Sequence, residues 1–451
     1  MSVEEIIEKA KEKTIINNEE RERLNEIVKE VIEKLEEKKE ELNLDLIIEV
    51  HGSFAHDTWL SGDKDVDIFV LKRSESVIEE AMKLAKSTFK DYVEKYAEHP
   101  YVTVFYKGYN FDIVPAYLIE KGEKIKTATD RSRLHTLYLK EVLNDELRKE
   151  IRLLKLFLKT LELYGAEIKT GGMSGYLCEL LIVHYRSFLN LIRSAINWKL
   201  YKTIIGEWKG PPEPLVVVDP VDPTRNVASS FKRVEDFKYA CILFLENPSI
   251  KFFEGRKYSS QIELALDVFE KRGTEVIVVE FEYPKIPPDQ FWGEMKRAER
   301  SLINFLQVHD FGILDSLTYS DEEKIAAIIL ELQSKELKEL RTLVGPPLNE
   351  LKNVKSFIKK HSYEPIFLRN GRPHVLTKRK ISSFNEAFNK WIATQSLPKD
   401  LIYPLRNAKI YLAKEAIDKG IRRRIFDLAF KDFWWVREDL IKHYNIIFDA
   451  I

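Results

Sequence analysis

The chain of 451 residues is poor in cysteine and methionine, with 2 and 4, and carries a formal net charge of only −1. Cys178 and Cys241 give no disulfide framework and no zinc-ligand spacing, which makes a reducing cytosol the default compartment. No apolar run approaches the roughly 20 residues that cross a bilayer. The opening stretch, MSVEEIIEKAKEK, alternates charges where a signal peptide would place an apolar core. A cytoplasmic protein with no membrane partner is therefore expected. Low-complexity tracts, fixed-period repeats and long flexible linkers are also missing, which excludes solenoids and disordered arrays. Few Met and Cys beside abundant Lys and Glu is a balance that thermophilic proteins favour.

What the chain does have is charge, at 32% of residues beside 44% hydrophobic, and length for roughly three domains. The charge is uneven. Residues 351–451 hold 21 Lys/Arg against 10 Asp/Glu, an excess that the acidic remainder conceals. A basic end beside an acidic front suits a polyanion held by one part and worked on by another.

The acidic front contains HGSFAHDTWLSGDKDVDIF, in which Gly52-Ser53 is followed, after eleven residues, by Asp65 and Asp67. Side chains two apart on a strand share a face, so these carboxylates stand side by side and repel unless a hard cation neutralises them. Mg²⁺ takes one or two carboxylates together with substrate phosphates. DLIIEV before Gly52 reads as a buried strand, and Ser53 as the start of a short helix beside a phosphate-holding turn. A lone Asp-x-Asp is more often a solvated strand edge, but Asp112 adds a third acid in the apolar run YNFDIVPAY, where an unpaired carboxylate is costly. Three carboxylates on adjacent strands suit two Mg²⁺ ions and nucleotidyl transfer.

Elsewhere the patterns are coarser. An amphipathic helix spans residues 19–42 from a start near Asn17-Asn18, with Leu24, Ile27, Val28, Val31, Ile32 and Leu35 on one face. A second helix is predicted from Val77 to Tyr96. Helical patterns run from about Arg133 to Trp208, until GPPEPLVVVDPVDPTRN breaks them. EVIVVEFEY predicts a strand, Phe291 to Leu306 a helix, and FLRNGRPHVLTKRK a hairpin turning at Asn370-Gly371.

The motifs already described, with YAEHPYVT, FDIVPAY, ATDRSRLHTLYL, RLLKLFLK, LYGAE, SGYLCELLIVHY and VDPVDPTRNVA in order, resemble the archaeal, class I tRNA CCA-adding enzymes of the DNA polymerase β-like nucleotidyltransferase superfamily. The resemblance runs from about Asp45 to Ala228. It implies an α+β multidomain protein: a polymerase β-like nucleotidyltransferase head over residues 1–132, a helical, poly(A)-polymerase-like neck over 133–258, and an α+β, RRM- or ferredoxin-like body and tail over 259–451 that binds RNA. It implies CCA addition to tRNA from CTP and ATP, two Mg²⁺ ions held by Asp65, Asp67 and Asp112, and members that can be dimers.

The resemblance also implies a nucleotide site of Gly52, Ser53, His56, Ser132, His135, Lys155, Tyr164 and Arg225. Lys155 matches a lysine that contacts the triphosphate, and Arg225 an arginine that helps select C and A. Periodicity alone makes Lys155 part of a solvated basic stripe, and puts Tyr164 half a turn out of phase unless the helix stops first, as Gly165 allows. Ser132 reads as a helix cap or a phosphate contact, and Asp219 and Asp222 as turn caps, one of which can orient Arg225. His56 departs from the Arg often found in the family, and Asp65 stands where other members use Glu. For tRNA phosphates the candidates are Lys296, Arg297, Arg300, Arg369, Arg372, Lys378, Arg379 and Lys380, each by itself more often a solvated surface charge. A poly(A)-type or 2′–5′ adenylate-forming enzyme, and a non-catalytic RNA-binding protein, are the alternatives.

Overall fold

The computed structural model describes residues 1–96, 99–120, 122–123, 125–127, 129–255, 262–431 and 433–437. The chain folds into two compact units, Met1–Arg256 and Lys257–Ile451. The expected boundary at residues 258 and 259 lies outside the described residues.

The first unit begins with helices α1 (Val3–Glu12) and α2 (Asn18–Glu41), the latter capped by the Asn17 side chain. Then come β1 (Ile47–His51), the short α3 (Gly52–His56), β2 (Asp65–Lys72), α4 (Val77–Thr88), β3 (Tyr92–Tyr96), β4 (Pro100–Tyr106) and β5 (Tyr109–Tyr117). The five strands form one sheet in the order β1-β2-β5-β4-β3, with only the β2–β5 pair parallel. Strand alternation sorts its faces. Val66, Ile68 and Val70 of β2 and Phe111 and Ile113 of β5 join Leu24, Val28, Val31 and Leu35 of α2 and Leu84 of α4 in one core. Each such aliphatic side chain contributes about 1.5–3 kcal/mol by leaving water. The period of two then turns Asp65, Asp67 and Asp112 to the opposite face.

Two expectations are corrected here. The helix predicted from Val77 to Tyr96 stops at Thr88, because Phe89 is extended and Tyr92–Tyr96 pairs with β4 as an edge strand. DLIIEV is an edge strand too, and of β1 only His51 is buried.

Helices α5 (Arg131–Val142), α6 (Asp145–Thr160), α7 (Gly175–Tyr185) and α8 (Phe188–Ala195) follow, then the two-residue strands β6 (Ile204–Ile205) and β7 (Val216–Val217) and helix α9 (Val234–Glu246). Phe157 of α6 packs among Phe188, Phe244, Phe252 and Phe253, with ring centroids 5.3–5.8 Å away. That cluster anchors α6. Lys155, two residues earlier and so roughly 200° around the helix, points away from it.

The second unit contains α10 (Ile262–Arg272), β8 (Glu275–Glu282), α11 (Pro288–Val308), β9 (Ile313–Ser320), β10 (Ile325–Leu332), β11 (Leu340–Val344), α12 (Leu351–Lys360), β12 (Ile366–Arg369) and β13 (Arg372–Lys378). It continues through α13 (Phe384–Thr394), α14 (Ile402–Arg406), β14 (Lys409–Leu412) and α15 (Lys419–Phe430). An antiparallel sheet of order β14-β8-β10-β9 packs Ile277, Val279, Ile328 and Leu330 against Phe291, Met295, Leu302 and Trp391 of α11 and α13. A smaller sheet, β11-β13-β12, contains the expected hairpin, with Asn370 and Gly371 both at positive φ, 51° and 69°.

Candidate active site

Asp67 and Asp112 are register partners on the parallel strands β2 and β5, and Asp65 lies opposite Asn110. Asp65 accepts a 2.8 Å bond from Asn110 Nδ2, and Asp112 accepts from the Thr103 hydroxyl. Burial, then the charges of Asp112 and Asp65, push the Asp67 carboxyl up to about 6. Gly52 stands against Asp67 at φ +67°, where any Cβ would collide with the Asp67 carboxylate. The close approach and the left-handed backbone both call for glycine.

Among the described residues no three His, Cys, Asp or Glu side chains are drawn into a ready metal cage. The carboxylate set nevertheless fits a divalent cation: its donors are hard oxygens on one face of a sheet, and burial, with their mutual repulsion added, already raises Asp67.

A cleft of about 350 Å³ opens beside Asp67, lined by Gly52, Ser53, His56, Ser132, His135, Lys155 and Tyr164 among the expected residues. It is lined also by Phe69, Thr136, Gly175, Tyr176 and Glu179. Lys155 is 1% exposed, so the solvated-stripe reading fails; its Nζ donates to the Thr58 carbonyl at 3.0 Å and the Thr58 hydroxyl at 2.9 Å. Tyr164 reaches the cleft because α6 stops at Thr160, earlier than a stop at Gly165, and Tyr164 bridges to Met173. Ser132 lies within the first turn of α5 and is not its N-cap residue; Asp130 precedes that helix and accepts from the backbone of Tyr117, Lys126 and Thr127. Ser53 is likewise inside α3, whose N-cap is His51.

His56 is 6% exposed and spends both ring nitrogens on the protein: Nδ1 on Glu179 at 3.2 Å and Nε2 on Thr136 at 3.0 Å. Glu179, 2% exposed, also accepts from the Thr58 hydroxyl at 2.5 Å and lies 3.6 Å from Lys155 Nζ. Burial pushes its carboxyl up, but the charge of Lys155 and the bonds from His56 and Thr58 outweigh burial and hold it down to about 2.

At the cleft's edge Asp219, fully buried, collects His135 Nε2 at 2.9 Å, Arg225 Nη1 at 2.9 Å and the Tyr176 hydroxyl at 3.2 Å. Tyr176 stacks on His135 at 3.8 Å. Burial lowers the proton affinity of His135 in spite of Asp219. Asp219 thus orients Arg225 as well as a turn, and Arg225 is joined to His135 through one carboxylate. Asp222 bonds Thr224 and Arg131.

Glu179, Tyr176 and Thr136 escaped the sequence reading. Glu179 had a signal, since it is the only acid in the apolar helix GYLCELLIVHY, where a charge demands a partner.

In the second unit Arg300, Arg369, Arg372 and Lys380 are exposed. Arg297 lies 3.9 Å from Glu294, Lys378 lies 3.5 Å from Glu339, and Lys296 is partly buried on α11. Arg379 is different: it pairs with Asp310, which Arg341 also holds, and donates to the Lys338 carbonyl at 2.9 Å, so it serves as an internal tether.

Comparison with known proteins covers most of the chain. Residues 28–135 match the nucleotidyltransferase domain, 149–254 the second domain of tRNA nucleotidyltransferase, and 272–411 the C-terminal domain of CCA-adding enzyme. The CCA-adding enzyme of Pyrobaculum aerophilum is 36% identical over 405 residues, covering 86% of this chain and 93% of that protein. Those of Archaeoglobus fulgidus and Methanocaldococcus jannaschii are 36% and 37% identical, covering 87% and 80% of this chain and 90% and 84% of theirs. Among solved structures, E. coli CdnC with ATP aligns at TM-score 0.43 and 17% identity, over 56% of this chain and 95% of its own.

Proposed function

The chain belongs to the CCA-adding enzyme family, the tRNA nucleotidyltransferases, and we propose that it builds and repairs the 3′-terminal CCA of tRNA from CTP and ATP, releasing pyrophosphate without a nucleic-acid template. The observation that supports this most directly is the cleft with a carboxylate wall at Asp67 and a wall of Lys155, Tyr164 and Ser53 facing the same space.

In this reading Asp65, Asp67 and Asp112 hold Mg²⁺, with two ions per site. The metal's chemistry is to lower the pKa of an attacking hydroxyl and to neutralise phosphate charge. The chain's own residues do the rest. Ser53, Ser132, Lys155 and Tyr164 hold the triphosphate in line with the RNA 3′ hydroxyl, and Lys155 supplies fixed positive charge beside the leaving pyrophosphate. His135 and Arg225, joined at Asp219, present donors to phosphate and to a base edge, where the planar guanidinium can distinguish C and A. His56, on the cleft's lining, is held by Glu179 and Thr136 and steadies the turn that carries Ser53.

The head, neck, and body and tail divide this work at about residues 132 and 258. The second unit's path, β8-α11-β9-β10, then α13 and β14 after an inserted β11–β13 module, with sheet order β14-β8-β10-β9, supports a ferredoxin-like, RRM-type body. Its exposed cations suit the acceptor stem and T-loop side of tRNA. No helix among the described residues is long and apolar enough to cross a membrane. A cytoplasmic enzyme, of a family whose members can be dimers, completes the reading.

The test is to supply Mg²⁺, all four nucleoside triphosphates and a tRNA lacking its 3′ end, and to sequence the products beside Asp67→Ala. Termination after CCA in the wild type alone is expected. A-only tails would move the protein to the poly(A) class, and no addition would leave an RNA-binding protein.

A further inference from the structure

We propose that Glu179 is the positioning residue of the triphosphate wall, acting through Lys155 and His56; the inference rests on the nucleotide reading above. An ionised carboxylate buried in an apolar helix persists only if its oxygens are paired. Glu179 is paired at Oε1 with Thr58 and with two residues that line the cleft, His56 and Lys155. Its Oε1 receives the Thr58 hydroxyl at 2.5 Å and His56 Nδ1 at 3.2 Å, and faces Lys155 Nζ at 3.6 Å.

Two consequences follow from hydrogen-bond chemistry. An ammonium has three hydrogens, and Lys155 gives two of them to Thr58, at the carbonyl and the hydroxyl. The third direction remains for a ligand. Gly175, which opens α7, has no Cβ to occupy the space 3.7 Å from Nζ and 3.0 Å from the Tyr164 hydroxyl. Glu179 therefore balances the charge of Lys155 within the cleft that both line, while one ammonium hydrogen stays available to a ligand.

The second consequence concerns α3. A carboxylate oxygen only accepts, so His56 Nδ1 carries the hydrogen, and the ring is locked between Glu179 and Thr136. Thr136 is held in turn by His51 Nδ1 at 2.8 Å. His51 and His56 flank Gly52 and Ser53, so this chain of bonds sets where the Ser53 turn stands relative to Lys155. One buried carboxylate thus couples α3, α6 and α7.

The experiment measures ATP binding in Mg²⁺ by calorimetry, without RNA, for wild type, Glu179→Gln, Lys155→Met and the double variant. Glu179→Gln keeps the volume and an acceptor for Thr58 but removes the charge. It should weaken ATP about 10- to 100-fold. The double variant should bind within about 3-fold of Lys155→Met, because the two act as one unit. Thr58→Val, which removes the bridging hydroxyl, should weaken ATP several-fold and covers the case in which Glu179→Gln does not fold. Wild-type affinity in Glu179→Gln, or in Thr58→Val where Glu179→Gln does not fold, overturns the inference, as do losses that multiply in the double variant. A wild type that binds no ATP would instead sink the nucleotide reading.

Discussion

Asp67 and Glu179 are carboxylates on the same cleft, and their proton affinities move in opposite directions, Asp67 up to about 6 and Glu179 down to about 2. Burial pushes both upward. Their company separates them: Asp67 faces Asp112 and Asp65, whereas Glu179 faces Lys155, His56 and Thr58. One wall carries more negative charge than its neighbours neutralise and is suited to a cation. The other is balanced from within and can offer its lysine to an anion. Glu331 in the second unit sharpens the point. It too is fully buried and, against burial, held low by Lys431, Thr274 and Arg272. Its cations turn back on the protein, Lys431 to Asp315 and Arg272 to the Ala429 carbonyl. A buried ion pair is therefore no sign of function by itself; what matters is whether the cation faces a cleft.

The most severe break is on the carboxylate wall. Asp67→Ala should lower nucleotide addition by about 10⁴-fold or more, and Mg²⁺ should raise the melting temperature of the wild type but not of the variant. Activity within tenfold of wild type would remove Asp67 from the chemistry. On the opposite wall, Lys155→Met should cost about 3–5 kcal/mol in urea unfolding, because it strands Glu179, and Glu179→Gln in the same chain should restore part of it. Glu331→Gln should also destabilise the protein yet leave ATP affinity unchanged, and weaker ATP binding there would collapse the distinction between the two buried acids.

Acid offers a milder probe. With its folded pKa held near 2, Glu179 contributes stability that is present above its unfolded value near 4.5 and lost as pH falls towards 2. The stability gap between wild type and Glu179→Gln, about 3 kcal/mol at neutral pH, should shrink steadily below pH 4.5 in urea titrations. Gly52→Ala should cost about 1–2 kcal/mol from its positive φ alone and should also slow addition, since its Cβ meets the Asp67 carboxylate. Smallest of all, Arg369→Ala with Arg372→Ala should flatten the salt dependence of tRNA binding by about one unit per arginine, whereas Arg379→Ala should act on thermal stability.

Much of this was legible in the residues. Asp65 and Asp67 announce a shared face through their spacing, and the Asn370-Gly371 hairpin and the Asn17-capped α2 stand where turn and cap chemistry put them. The misreadings share one cause, which is that local pattern says little about partners. Tyr92–Tyr96 is a strand because β4 lies beside it, although its spacing also fits a helix. The sequence leaves open whether His56 takes the place of a phosphate-binding Arg, and only the folded chain shows Glu179 and Thr136 at its two nitrogens. Lys155 has the spacing of a solvated stripe, and only the packing of α6 buries it.

By itself, then, the sequence determined a chemical inventory: two carboxylates two apart on a strand, a third in another apolar run, a Gly-Ser turn before them, and a lysine on a helix that stops before a tyrosine. Those properties are local, set by residue type and spacing. The tertiary structure alone decided the alliances among them, bringing Asp112 beside Asp67 through parallel strand pairing and Glu179 beside Lys155 across 24 residues of chain. Electrostatic interaction depends on distance in space and on exclusion of water, and neither is written in the spacing of residues along the chain.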